Sequence, residues 1–152
     1  MKNNIRGISV FRITMEREKL AKDEKTIRKI FEMLEECGIP CECIAINIDW
    51  LAIVIRESEY GKFGAFAAMI GQKLDRINIS IERRVVLLCV EGKQITSRGI
   101  GMIVSSLTMQ NIEIKMHRYL QCRDRFMIGV AAEASENAKR IITEIIGAHY
   151  QI

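Results

Sequence analysis

Four segments of the chain carry the same apolar spacing, i, i+3, i+4, i+7: Ile27/Ile30/Phe31/Leu34, Phe63/Phe66/Ala67/Ile70, Ile100/Ile103/Val104/Leu107 and Ala138/Ile141/Ile142/Ile145. Residues so spaced fall on one stripe of a helix, and such a stripe is stable only when it is laid against another apolar surface. The first set recurs in the third after about 73 residues and the second in the fourth after about 75, so the chain reads as a duplication.

The segments between the stripes supply the surface. Ile5 to Thr14 alternate around Ile8, Val10, Phe11 and Ile13 and predict a strand, broken near Ser9 or Val10. Asp23 is placed to cap the first helix, and Cys37-Gly38 to end it, since glycine accepts the left-handed turn of a helix stop. Ile39 to Ile48 and Trp50 to Arg56 predict two strands meeting at a turn near Asn47-Ile48-Asp49. Ser58 is expected to cap a helix reaching about Leu74, and Ile77 to Glu82 to form a further strand, completing β-α-β-β-α-β. The order then repeats with strand Val85 to Val90, helix Ser97 to Thr108, strand Asn111 to Tyr119, strand Phe126 to Ala131 and helix Ser135 to Ile146. Only Tyr150 to Ile152 remain for a sixth element, so Ile5 to Val10 is the candidate to fill the vacant edge. The expected fold class is α+β: two ferredoxin-like units with antiparallel sheets packed or paired and helices on one face. The expected domains are residues 11–82 and 83–152, the second completed by strand 5–10. The junction, Glu82-Arg83-Arg84, carries no flexible linker composition, which predicts units joined rigidly.

Hydrophobic residues make up 49% of the chain, but the apolar runs are short and broken by charge, so none reaches the roughly 20 residues that span a bilayer. Met1-Lys2-Asn3-Asn4 leads directly into the alternating segment without an apolar signal region, and the expected location is cytoplasmic. The five cysteines, Cys37, Cys41, Cys43, Cys89 and Cys122, lack the spacing of a zinc site. They read as small buried apolar residues, with a metal or redox pair at Cys41 and Cys43 as the alternative. The net charge of +4 is spread among acidic residues; Arg118, Arg123 and Arg125 read as a solvated strand edge, and no nucleic-acid partner is expected.

Catalysis finds no constellation. His117 and His149 are the only histidines, no nucleophile motif is present, and neither phosphate-binding glycine pattern occurs, so no catalytic residue, metal or cofactor is expected. Lys62 to Met69 imitates an aromatic RNA-binding signature, but the helical spacing of Phe63 and Phe66 turns both rings toward a core rather than onto a sheet face. The most suggestive stretch is Gly92 to Gly99, which joins a strand to a helix whose first N–H groups lack partners and carry the positive end of the dipole. A carboxylate suits such a place. With Asn111 beside that loop, its side-chain oxygen would take an ammonium group, and a free amino acid would be recognised; an ordinary capped turn is the alternative.

Ile27 to Ile39, then Val90-Glu91-Gly92, Arg98-Gly99-Ile100, Asn111-Ile112-Glu113-Ile114, Ile128-Gly129-Val130 and Ala138 to Ile146 together resemble tandem ACT domains, specifically the C-terminal regulatory region of aspartokinases. The resemblance implies a non-catalytic module that binds a free amino acid, with lysine or threonine as first guesses, and regulates an aspartokinase catalytic chain by feedback. It further implies a homodimer. Carried over by position, the effector-binding residues are Asn111, Ile112, Gly99 and Asn47; the Gly92 to Gly99 stretch adds Gln94 and Arg98, the latter standing where the family has proline. The family's first unit wraps its effector with an Asp/Asn-x-Pro-Gly loop, whereas Met15 to Lys25 is long, charged and free of both proline and glycine. A dimerisation module of the same fold that has lost effector binding is therefore the alternative.

Overall fold

The computed structural model describes residues 5–91, 95–120 and 125–150, with side chains through 147. The chain runs β1 (Ile5–Glu16), α1 (Glu24–Glu36), β2 (Cys43–Ile46), β3 (Trp50–Arg56), α2 (Phe63–Lys73), β4 (Asn78–Glu91), α3 (Ser97–Met109), β5 (Met116–Leu120), β6 (Arg125–Ala131) and α4 (Ser135–Tyr150). Short 3-10 turns at Leu20–Lys22, Glu57–Lys62 and Ala132–Ala134 precede α1, α2 and α4. Two compact units result: residues 10–83, and residues 84–150 together with 5–9. The long strands β1 and β4 each contribute one part to either unit.

In the first unit the strands lie in the order β2-β3-β1-β4, the first three joined as antiparallel neighbours. The β1–β3 register pairs Phe11 with Ile55, Ile13 with Ile53 and Met15 with Leu51. These six side chains share one face and enter a single core with Ile30, Met33 and Leu34 of α1 and Phe66 and Ile70 of α2. Each such side chain, fully removed from water, contributes about 1.5–3 kcal/mol, which is why the helical stripe outweighs the charged outer face of α1. Phe63 and Tyr60 close the core edge: Phe11 meets both edge-on, at ring centroid distances of 6.4 and 5.3 Å, and the Arg83 guanidinium covers the Tyr60 ring at 3.7 Å.

The second unit repeats the plan with its sequence rotated: β4, α3, β5, β6, α4, and then the N-terminal part of β1. Its strand order is β1-β4-β6-β5. Leu88 pairs with Ile128 and Val90 with Phe126, and these face Ile103 and Leu107 of α3 and Ala138, Ile141 and Ile142 of α4.

Both units stop their first helix in the same way. After α1, Gly38 takes a φ of 65°, its N–H donates to the Glu35 carbonyl and the Ile39 N–H donates to the Leu34 carbonyl. After α3, Asn111 takes a φ of 60°, its N–H donates to the Thr108 carbonyl and the Ile112 N–H to the Leu107 carbonyl. This paired bond pattern around a left-handed residue satisfies the last carbonyls of a helix.

Several boundaries differ from the sequence expectation. Ile77 to Glu82 and Val85 to Val90 are not separate strands; β4 runs unbroken from Asn78 to Glu91 through Arg84, whose φ of 61° accommodates a local irregularity within the strand. The strand expected from Ile39 is only Cys43–Ile46, because Ile39 belongs to the helix stop and Pro40 has no N–H to donate. Ser58 caps no helix: it lies within the 3-10 turn, and α2 begins at Phe63 without a side-chain cap. The strand expected from Asn111 begins at Met116, since Asn111 and Ile112 are spent on stopping α3.

Gly129 lies opposite Met116 across β5 and β6, and a methyl group there would overlap the Met116 thioether. Gly129→Ala is expected to lower stability by up to about 1 kcal/mol, the cost of swinging the flexible Met116 side chain aside. In a Met116→Ala background the same change should cost less than about 0.5 kcal/mol, a coupling that urea denaturation of the four variants measures.

Candidate functional site

The start of α3 is built by Thr96, whose hydroxyl accepts the Gly99 N–H at 3.0 Å while its carbonyl accepts the Ile100 N–H at 2.9 Å. No acidic side chain lies in the first turn, where Arg98 stands exposed, so the positive end of this helix is not neutralised locally. A Cβ added at Gly99 would meet only the Thr96 hydroxyl, at 3.4 Å, so the glycine is not demanded by a crowded backbone. Tyr119 anchors the preceding segment by donating its hydroxyl to the Ile95 carbonyl at 2.9 Å. Gln94 and the rest of Gly92 to Gln94 lie outside the described residues, as do Cys122, Arg123 and the side chain of His149.

Asn111 is at the other end of the same helix. Its side chain is exposed, and Ile112 beside it is buried at 6%. With a rise of 1.5 Å per residue, Gly99 and Asn111 stand about 18 Å apart along α3. The expectation that Asn111 lies beside the helix-start loop is therefore corrected: within one chain, a single amino acid cannot touch both. The reason is local, because Asn111 follows the helix directly instead of opening the next strand.

Asn47 opens the turn between β2 and β3, where its N–H donates to the Trp50 carbonyl at 2.9 Å and its side-chain oxygen accepts the Ile48 N–H at 2.6 Å. The next residues of this turn reach the loop between β1 and α1. Arg17 N–H donates to the Asp49 carbonyl at 3.0 Å and Ala21 N–H to the Ile48 carbonyl at 2.9 Å. Between them the Lys19 N–H donates to the Asp49 carboxylate at 2.8 Å, with Lys19 itself left-handed at a φ of 58°. Fully buried Leu20 pins the loop from below. Arg17 turns its guanidinium to Asp23 at 2.7 Å, and Asp23 caps α1 by accepting the Thr26 N–H at 3.2 Å and hydroxyl at 2.7 Å. Sequence reasoning singled out Asp23 as a cap but missed Asp49, whose partner is distant in sequence.

The described cysteines are buried or half-buried. Cys43 and Cys89 are buried, while Cys37 lies half-buried with its Sγ 3.5 Å from the Met69 sulfur. Burial pushes the Cys41 thiol up, and Glu42 pushes it further; burial also raises Cys89, although Arg6 and Arg125 pull against it. Such thiols stay protonated at neutral pH and are poor nucleophiles. Among the described residues no cluster of His, Cys, Asp and Glu is arranged to hold a metal ion, and no helix is long and apolar enough to cross a membrane. Phe66 of the RNA-like segment is fully buried in the first core. Arg125 pairs with Glu91 at 3.0 Å, and His117 and Arg118 are exposed on β5. A shallow groove between α1 and the end of α2 is lined by Lys29, Glu32, Met33, Glu36 and Lys73, none of them a residue singled out from sequence.

No protein-family model and no curated protein matches the sequence. Solved structures do. Clostridium acetobutylicum aspartate kinase, described as an allosteric enzyme, superposes with a TM-score of 0.83 at 23% identity, over 93% of this chain and 34% of that one. The ligand-free regulatory subunit of aspartate kinase from Thermus thermophilus gives 0.77 at 14% identity, over 95% of this chain and 97% of the other. A chain from a structure of aspartokinase alpha and beta subunits gives 0.82 at 14% identity, with 95% and 97% covered. The chain thus has the fold of aspartokinase regulatory regions across nearly its whole length, and spans about a third of the Clostridium enzyme.

The Asp23 cap carries a pH signature. Hydrogen bonds from the Thr26 hydroxyl and N–H, aided by Arg17, hold its carboxyl below the usual range. A depressed carboxyl contributes stability that is complete above the ordinary Asp value near 3.9 and is lost as pH falls through the lower folded value. Carboxyl-detected NMR should therefore show Asp23 titrating below the ordinary Asp value, and Asp23→Asn should flatten the acid limb of the stability profile.

Proposed function

We propose that this chain is a non-catalytic, amino-acid-binding regulatory module that acts on an aspartokinase-type catalytic chain by allosteric feedback. The observation that carries the reading is the end-to-end correspondence with a regulatory subunit of aspartate kinase, 95% of this chain against 97% of that subunit. The amino-acid effector, for which lysine and threonine are the first probes, shifts the catalytic chain only by the ratio of its affinities for two arrangements of the module.

The effector's carboxylate is assigned to the start of α3, near Arg98 and Gly99, with Gln94 in the preceding loop; the absence of acidic residues from that first turn favours it. Its ammonium is assigned to the Asn111 side-chain oxygen, beside Ile112. Because these two ends of α3 stand about 18 Å apart, one amino acid meets both only between two copies of the chain. Asn47 is the corresponding polar residue of the first unit. A homodimer is supported by β2, an edge strand whose Ile44 and Ile46 are 50% and 56% exposed, followed by Ile48 at 53%. Unpaired edges bearing apolar side chains favour association with a second copy. The alternative, a pairing module without effector, is favoured by Asn111 having a structural duty in the helix stop.

Isothermal titration with lysine and threonine separates the two. Binding in the micromolar to millimolar range is expected, and Asn111→Gly, which keeps the left-handed backbone while removing the side chain, should weaken it at least tenfold. Ile46→Lys is expected to give monomers in the ultracentrifuge and to lose binding with them. Heat release that survives in the monomer would rule out a site shared between copies, and silence with every amino acid would leave the pairing role.

A further inference from the structure

We propose that the first unit carries its own occupant: the Asp49 carboxylate fills an anion cradle in the β1–α1 loop and keeps that unit permanently in a filled state. Three N–H groups of the loop, those of Arg17, Lys19 and Ala21, point to the β2–β3 turn, and all three are taken by Ile48 and Asp49. The central one receives a carboxylate oxygen at 2.8 Å. Lys19 holds a left-handed φ of 58° although it is not glycine, a conformation that costs roughly 1–3 kcal/mol and persists only where surroundings enforce it. The three groups alternate along the loop, with Leu20 between them donating to the Arg17 carbonyl; those of Arg17 and Ala21 meet backbone carbonyls, and that of Lys19 meets the carboxylate. Here the anion is part of the chain.

Charge reinforces the closure. Asp23 caps α1 and Glu24 occupies its first turn, so a second carboxylate approaching the loop meets two fixed ones. Arg17, one of the basic side chains of the loop, is committed to Asp23 at 2.7 Å. The start of α3 has a neutral Thr96 cap and no acidic first turn. In terms of the regulatory reading above, on which the count rests, each chain takes effector through its second unit alone and the first serves as a fixed scaffold.

Amide hydrogen exchange on the full chain, read by NMR, tests this. Without any amino acid, Lys19 should be protected, and 10 mM lysine, threonine or acetate should leave its rate unchanged. Asp49→Ala should accelerate Lys19 exchange about tenfold or more, since a charge-assisted bond is lost. Asp49→Asn, which retains an acceptor oxygen but loses the charge, should fall between wild type and Asp49→Ala. Acetate should then slow Lys19 exchange in Asp49→Ala alone, by refilling the cradle. The proposal fails if Asp49→Ala leaves Lys19 protected, if acetate does not restore protection, or if an amino acid alters Lys19 exchange in the wild type. Calorimetric silence with every amino acid would sink the effector reading instead, while leaving the Lys19 rates to decide the closure.

Discussion

In each unit an apolar helical stripe lies on the inward face of an antiparallel sheet, and every other feature is positioned by that contact. Ile30 and Leu34 lie against Ile13 and Ile53 in one core; Ile103 and Leu107 lie against Leu88 and Ile128 in the other. Removing such side chains from water is worth about 1.5–3 kcal/mol each, whereas exposed ion pairs contribute about 0–1 kcal/mol. Burial therefore sets the helix axes. Pairs such as Arg140 with Glu144 decorate the outer faces without deciding the fold.

Once the stripe is buried, the helix must end where the next strand can begin. Gly38 and Asn111 do this in the two units with the same pair of backbone hydrogen bonds, and they are separated along the chain by the same interval as Ile27 and Ile100. Asparagine tolerates the left-handed turn better than other side-chain-bearing residues. Aligning the two repeats through their stripes would have placed Asn111 opposite Gly38 and identified it as a helix stop. That duty explains its backbone, and leaves its exposed amide free for a second role.

The duplication has produced units alike in fold and unlike in chemistry. The loop before α1 is filled by the β2–β3 turn and ringed by Asp23, Glu24 and Asp49. The start of α3 has a neutral Thr96 cap and no acidic residue in its first turn, which holds Arg98.

The element order, the four stripes, the extent of β3, the Asp23 cap and the turn at 47–49 were all legible in the amino-acid sequence, because each rests on neighbours within one or two helical turns or one strand. Three things were not. The continuity of β4 runs through Arg84 despite its left-handed φ of 61°, a strand irregularity that the charged junction does not announce in sequence. The separation of Gly99 from Asn111 follows from where α3 stops, a difference of a few residues that moves a side chain to the far end of the helix. The closure of the first loop depends on Lys19 and Asp49, thirty residues apart, which only the folded chain brings within hydrogen-bonding distance. Local periodicity thus determined which surfaces must be buried; the tertiary structure decided which polar groups remain free, since a backbone N–H gives no sign in sequence of the distant oxygen that will take it.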